Sequence, residues 1–167
     1  TGADDGSIKL WSLDSGECTK TLQGHGGPVF SVAIFKNFIV SGSSDKKVML
    51  WAQNTGEIMN VFEGFHTEAV YGVAMNNEYI VSGSNDRNVI LWGRRSEGNP
   101  PQVFKGHQRF VWSVCISYDG QKIISGSGDR TVRVWRIIPK NCLMVIKKHE
   151  SEVGYVRQSL CSDRFLS

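Results

Sequence analysis

Short runs of β-branched and aromatic residues recur along the chain, cut at close intervals by Gly, Asn, Asp and Ser. Such runs, four to seven residues long and bounded by turn-forming residues, predict strands, and no stretch shows the period of a helix. The clearest set lies at 29–35, 38–42, 47–51 and 57–62, which predicts four short strands in succession. The segment 94–101, with Gly98 and two prolines, predicts a longer surface loop before the next strand.

The strand pattern has a longer period, marked by tryptophan. Trp11, Trp51, Trp92 and Trp135 each end a strand-like run, at spacings of 40, 41 and 43 residues. Six residues before each stands an acid: Asp5, Asp45, Asp86 and Asp129. Four residues earlier stands a hydroxyl: Thr1, Ser41, Ser82 and Ser125. His25, His66 and His107 precede their hydroxyls by 16, 16 and 18 residues, and His149 precedes Ser167 by 18. A repeat of this length implies stacked supersecondary units, not one irregular domain.

The order Gly-His, Ser-Gly-Ser-x-Asp and a strand ending in Trp resembles the WD40 repeat over essentially the whole chain. The residue after Trp is Ser12, Ala52, Gly93 or Arg136 where that family often has Asp. Phe65 is inserted between Gly64 and His66, and Lys148 stands where Gly would precede His149. The resemblance implies an all-β fold, a β-propeller of four-stranded antiparallel blades. Its four repeat lengths start and end inside a blade: 1–23 the second half of one, then 24–63, 64–105 and 106–147, with 148–167 the first half of another. It also implies that His, Ser or Thr, Asp and Trp of each repeat form one structural hydrogen-bond network. A buried indole N–H needs an acceptor, a hydroxyl both donates and accepts, and a carboxylate in a turn can receive backbone N–H groups.

The same residue types could be read as a Ser-His-Asp hydrolase triad. Recurrence at fixed offsets in every repeat argues against that, because an active site needs a single asymmetric constellation. The histidines, one per repeat, would not converge on a metal, so no metal site or cofactor is expected. Gly126-Ser127-Gly128-Asp129 matches no phosphate-binding fingerprint.

Composition adds limits. Net charge is +3, with basic residues in scattered pairs such as Lys46-Lys47, Arg94-Arg95 and Lys147-Lys148, so nucleic acid is disfavoured as a partner. Cys18, Cys115, Cys142 and Cys161 stand far apart, which suggests neither zinc nor a disulfide framework and fits a reducing intracellular compartment, cytoplasmic or nuclear. The longest apolar stretch, at 29–35, contains Ser31 and falls short of the roughly 20 residues of a membrane span. The chain opens inside a repeat with no leader pattern, as if cut from something longer.

What differs between repeats points to a partner. Five residues after each His stand Phe30, Tyr71, Trp112 and Gly154. The resemblance places this position at the mouth of the central channel, on the face that receives partners, so three successive aromatics would form an apolar arc suited to binding. Val29 and Val32, Val70 and Val73, and Val111 and Val114 read as the neighbouring core set. Directly before each turn Asp come Asp4, Ser44, Asn85 and Gly128, of which Ser44 and Asn85 are counted with the binding ring. Arg87 and Arg130 follow the Asp on the exposed turn, and no arginine occupies either ring, which disfavours a phosphopeptide pocket.

The expected function is therefore a non-catalytic protein-interaction scaffold that docks a peptide or loop, with no small-molecule substrate. The alternatives are the substrate-recognition module of a ubiquitin ligase or kinase assembly, and an assembly platform acting through blade edges. Two copies could also join head to tail as a homodimer completing an eight-bladed ring.

Overall fold

The computed structural model of the chain describes residues 1–94, 100–147, 149–158 and 165–166. Among the described residues all regular structure is β. Three four-stranded antiparallel sheets follow one another: β3 (Val29–Phe35) to β6 (Ile58–Phe62) through β4 (Phe38–Ser43) and β5 (Val48–Ala52); β7 (Val70–Met75), β8 (Tyr79–Ser84), β9 (Val89–Gly93) and β10 (Gln102–Phe104); and β11 (Val111–Ile116), β12 (Lys122–Ser127), β13 (Val132–Arg136) and β14 (Asn141–Ile146). Two-stranded sheets flank them, β1 (Ile8–Trp11) with β2 (Cys18–Leu22) and β15 (Arg157–Gln158) with β16 (Phe165–Leu166). The first three predicted strands of the clearest set agree within a residue. The fourth, expected from Glu57, begins at Ile58 because the Glu57 carbonyl closes the preceding turn onto the Ala52 N–H. The turn at 94–101 lies largely outside the described residues, as does Ser167. Among the described residues no helix is long and apolar enough to cross a membrane.

Each sheet is too thin to bury its own faces, so the core lies between sheets. One layer joins Val40, Val48 and Leu50 to Val70, Val73, Ile80, Ile90 and Trp92 of the next sheet. A second layer joins Val81, Val89 and Leu91 to Val111, Val114, Ile123 and Trp135. Of the Val pairs predicted as core, Val70 with Val73 and Val111 with Val114 stand in these layers, while Val29, with the partly buried Val32 packed beside it, belongs to a third layer with Ile8, Leu22, Ile39, Met49 and Trp51; the pairs come from the innermost strands β3, β7 and β11. Close stacking explains the glycine of each Ser-Gly-Ser. A Cβ on Gly42 would come within 2.6 Å of Val70 Cγ1, and one on Gly83 within 2.7 Å of Val111 Cγ1. Hydrogen bonds lock the stack: the Val73 N–H donates to Ser31 Oγ (3.1 Å) and the Val156 N–H to Ser113 Oγ (3.2 Å) across adjacent sheets.

Each innermost strand has a register shift just past its first valine: Val29 pairs with Ser43 while Ser31 pairs with Gly42. The same shift occurs between Val70 and Gly72 and between Val111 and Ser113. One residue is thus left out of the ladder in each strand, and a bulge of this kind re-aims its side chain. The three residues left out are Phe30, Tyr71 and Trp112.

Candidate functional site

Three complete networks stand at the end of the sheets that carries the His-bearing segments, here the upper face. His25 Nδ1 is 2.8 Å from Asp45 Oδ2 and its Nε2 is 2.7 Å from Ser41 Oγ, which also accepts from Trp51 Nε1 at 2.8 Å. His66, Asp86, Ser82 and Trp92 repeat this at 2.8, 2.7 and 2.8 Å. His107, Asp129, Ser125 and Trp135 do so at 2.8, 2.7 and 2.9 Å. An ionised carboxylate only accepts, so the Nδ1–H of a neutral imidazole donates to Asp. Nε2 must then accept from the Ser hydroxyl, whose lone pairs receive the indole N–H.

The turn carboxylates are held by backbone as well. Asp45 accepts from the Gly26 and Lys47 N–H groups, Asp86 from Thr67 and Asn88, and Asp129 from Gln108 and Thr131. Burial opposes ionisation of all three, yet their hydrogen bonds prevail and their pKa values are lowered. Asp129, with the Thr131 hydroxyl added, reaches about 2. For His107, burial dominates over the attraction of Asp129, Arg133 repels the charged form further, and the pKa is lowered.

The His-Ser and His-Asp distances are those of a hydrolytic triad, so access decides between the readings. Ser41, Ser82 and Ser125 are fully buried, and each hydroxyl already serves an indole and an imidazole. No substrate carbonyl can approach such an oxygen. Among the described residues no group of three or more His, Cys, Asp or Glu is gathered as metal ligands.

The first set is partial: Trp11 Nε1 donates to Thr1 Oγ1 at 3.1 Å, and Asp5 accepts from the Ser7 N–H at 2.8 Å. Half of Trp11 is exposed, so this pair lacks the sealed character of the other three. His149 is described, whereas Ser167, its proposed hydroxyl, lies outside the described residues. Sequence reasoning missed the second serine of each motif. Ser43, Ser84 and Ser127 accept from the N–H of the turn Asp and donate to the carbonyls of Gly27, Glu68 and Phe110. Their constant place two residues before the Asp is the signal that could have found them.

The bulged aromatics meet on the upper face. The Phe30 and Tyr71 ring centroids are 5.3 Å apart, and those of Tyr71 and Trp112 are 4.6 Å apart. Phe110, missed from sequence, extends the row at 4.9 Å from Trp112. It lies over Gly128, where any Cβ would strike its ring. Phe30 is 47% exposed, and the other three rings are partly buried by one another. At the far end Arg109 binds Glu152 at 2.9 Å and covers Phe110, while the Trp112 indole N–H donates to Glu152 at 3.3 Å. Offset and tilted rings attract one another, so the row is preorganised before any partner arrives.

Ser44 and Asn85 stand behind the arc. Their N–H groups donate to the carbonyls of Pro28 and Ala69, tying the turns to the innermost strands. Asn85 opens into a groove of about 840 Å³ with Glu68, Arg87, Lys105 and Gln108, which meets the far end of the aromatic row at Arg109 and Phe110. Arg87 and Arg130 are on exposed turns, at φ 71° and 65°.

The family profile described as "WD domain, G-beta repeat" matches residues 16–52, 56–93 and 98–136, well over half of the chain. The chain is similar to WD repeat-containing protein 18 of Danio rerio, with 49% identity over 30% of this chain and 11% of that protein. It is also similar to Ribosome biogenesis protein YTM1 of Vanderwaltozyma polyspora, with 32% identity over 92% of this chain and 29% of the relative. Small ribosomal subunit protein RACK1 of Caenorhabditis elegans is 32% identical over 70% of this chain and 27% of its own length. The chain spans between 11% and 33% of the length of the curated relatives it matches.

Proposed function

The chain belongs to the WD40-repeat family, whose members are typically protein-interaction scaffolds, and we propose that it docks a peptide or loop of another protein on its upper face. The observation that carries this reading is the contiguous row Phe30, Tyr71 and Trp112, aimed out of the ladder by three equivalent bulges. Aromatics offer large contact area with few rotatable bonds, and their partner-facing edges leave water on binding. The Glu152 carboxylate beside Trp112 and the Arg109 guanidinium beyond it supply polar anchors at the rim. The scaffold reading needs no chemistry from the buried serines.

Peptides selected from a random library against the folded chain provide the test. Trp112→Ala should weaken their binding by about 2 kcal/mol, the loss of a hot-spot residue. Unchanged binding by a variant that keeps the parent's unfolding midpoint would remove the arc from the docking role and leave the blade edges as the interaction surface.

A second reading, self-association, is supported by the two end sheets. β1–β2 and β15–β16 are each two-stranded where their neighbours have four strands. Strand pairing between copies would complete both. Light scattering decides it: a folded dimer is expected, and a folded monomer at high concentration overturns it.

A further inference from the structure

Among the described residues Arg109 is the one cation seated against the aromatic row, and the way it is held shows what the row can bind. Its Cζ lies 4.8 Å from the Phe110 ring centroid, and its Nη1 donates to Glu152 Oε1 at 2.9 Å. The other carboxylate oxygen, Oε2, accepts the Trp112 indole N–H at 3.3 Å. Trp112 in turn lies 4.9 Å from Phe110 and 4.6 Å from Tyr71, ring centre to ring centre. A guanidinium that meets both a ring and a carboxylate is thus already present at the far end of the row, supplied by the chain itself.

That seat is loosely filled. Nη1 alone reaches the carboxylate, so the fork through which arginine can grip a carboxylate by two parallel N–H bonds goes unused. A second bond from Arg109, to the Gly128 carbonyl, is long at 3.4 Å. The Arg109 and Glu152 side chains are 53% and 40% exposed, and an ion pair so open to water holds its members weakly. Each Glu152 oxygen accepts one bond and has a lone pair to spare. Arg109 also has somewhere to go, because it lines the 840 Å³ groove beside the row, where Glu68 stands with Arg87 and Lys105.

Charge around the row favours the same ligand. The segments that carry the histidines, 25–28, 66–69, 107–110 and 149–152, hold Glu68, Glu150 and Glu152 against Arg109 alone. Of the residues directly before each turn Asp, Asp4 is charged and Ser44, Asn85 and Gly128 are not. These positions together carry four acids and one cation. Lys46, Arg87 and Arg130 belong to the turns between the second and third strands of each sheet, one strand further out than the bulges. Close to the rings a partner's cation is therefore attracted and its carboxylate repelled.

Resting on the docking reading above, we propose that the docked segment presents an arginine, which displaces Arg109 from Glu152 and stacks on the row at Trp112. Arg109 holds the place until the partner arrives, as an internal competitor. Lysine suits it less, because a compact ammonium lacks both the plane that stacks on a ring and the fork that fits a carboxylate. An apolar segment would use the rings and leave Glu152 with nothing new. An acidic one would face Glu150 and Glu152. The two members of one salt bridge thus act in opposite directions, Glu152 for binding and Arg109 against it.

The test is a library of random dodecapeptides panned against the folded chain. Peptides retained by the chain and lost on Trp112→Ala should share an arginine. One of them, labelled and titrated by fluorescence anisotropy, should bind about tenfold more weakly when citrulline, which keeps the shape without the charge, replaces its arginine, with lysine in between. Glu152→Gln should also cost about tenfold. Arg109→Ala should tighten binding about threefold, the factor by which an exposed ion pair opposes displacement. Trp112-dependent peptides that lack arginine, or an arginine replaceable by citrulline at no cost, overturn this proposal and leave docking on the arc intact. Weaker binding by folded Arg109→Ala overturns it too, since Arg109 would then be an anchor like Glu152. Absence of any Trp112-dependent peptide overturns the docking reading itself, and this proposal with it. The citrulline and lysine peptides are measured on the unaltered chain, so a variant that fails to fold does not leave the proposal undecided.

Discussion

The networks under Trp92 and Trp135 share one frame and differ in what surrounds it. At Trp92 the inward residue two positions earlier is Ile90, fully buried, and Phe62 and Phe65 flank the indole at 5.3 and 5.6 Å. At Trp135 the same position holds Arg133, whose guanidinium lies 5.6 Å from the ring centroid. Gly106 makes that possible, since a Cβ there would collide with the Arg133 guanidinium, while the equivalent Gly64 has nothing near it. The carboxylates differ likewise: Asp129 receives the Thr131 hydroxyl at 2.6 Å, and Asp86 has Asn88 in that place, contributing its backbone N–H alone. The frame is thus insensitive to large changes one contact away, while the protonation chemistry of its members is not.

Removing the turn carboxylate should break both networks with the largest effect. Asp86→Ala leaves the His66 Nδ1–H and the Thr67 and Asn88 N–H groups without their acceptor. Burying unsatisfied donors costs about 1–3 kcal/mol apiece, reduced where water can enter, so a loss of about 3 kcal/mol is expected. Asp129→Ala should lose more, because the Thr131 hydroxyl gives up its 2.6 Å bond as well and keeps only the 3.4 Å contact with His107 Nδ1. Urea unfolding at neutral pH, followed by Trp emission, measures both midpoints. Equal losses would show that the Thr131 hydroxyl contributes nothing to stability.

The frame itself was legible in the sequence because it recurs. His25, His66 and His107 could be matched to Ser41, Ser82 and Ser125 by offset alone, and the structure joins each pair. The runs of β-branched and aromatic residues between turn formers likewise placed the strands, since a blade that packs on a neighbour through both faces needs apolar residues at successive positions. What was not legible depends on contacts between repeats or on exceptions to the ladder. The bulges that aim Phe30, Tyr71 and Trp112 leave no mark in an apolar run. Glu152 meets Arg109 and Trp112 from the next repeat, about 40 positions away in sequence, so its role emerges only from stacking. The place of Arg133 beside Trp135 depends on the space left by Gly106 in the preceding segment, a contact that the run ending at Trp135 does not show.

Arg133→Ile should sharpen the comparison, with a smaller effect of opposite sign. It gives the Trp135 network the apolar neighbour that Trp92 has in Ile90. Arg133 Nε is buried without a hydrogen-bond partner, a cost that the substitution removes. The contact with the Trp135 face is lost in exchange, worth about 0.5–1 kcal/mol. A net gain of about 1 kcal/mol at pH 7 is expected, since an unpaired buried donor costs about 1–3 kcal/mol. The pH response should change as well. The lowered pKa of His107 means that the unfolded chain takes up a proton before the folded one does. Its contribution is therefore fully present above about pH 6.5, the unperturbed value, and declines as the pH falls below it. Arg133 is one cause of that lowering, after burial, so its removal should flatten the decline between pH 7 and 5. At lower pH the curves of parent and variant should run parallel, because Asp129, held at about 2, loses its stabilising contribution equally in both as the pH falls from about 4 through that value. Unfolding free energies measured across this range separate the two titrations. A variant with an unchanged slope between pH 7 and 5 would mean that burial alone sets the acid response of His107.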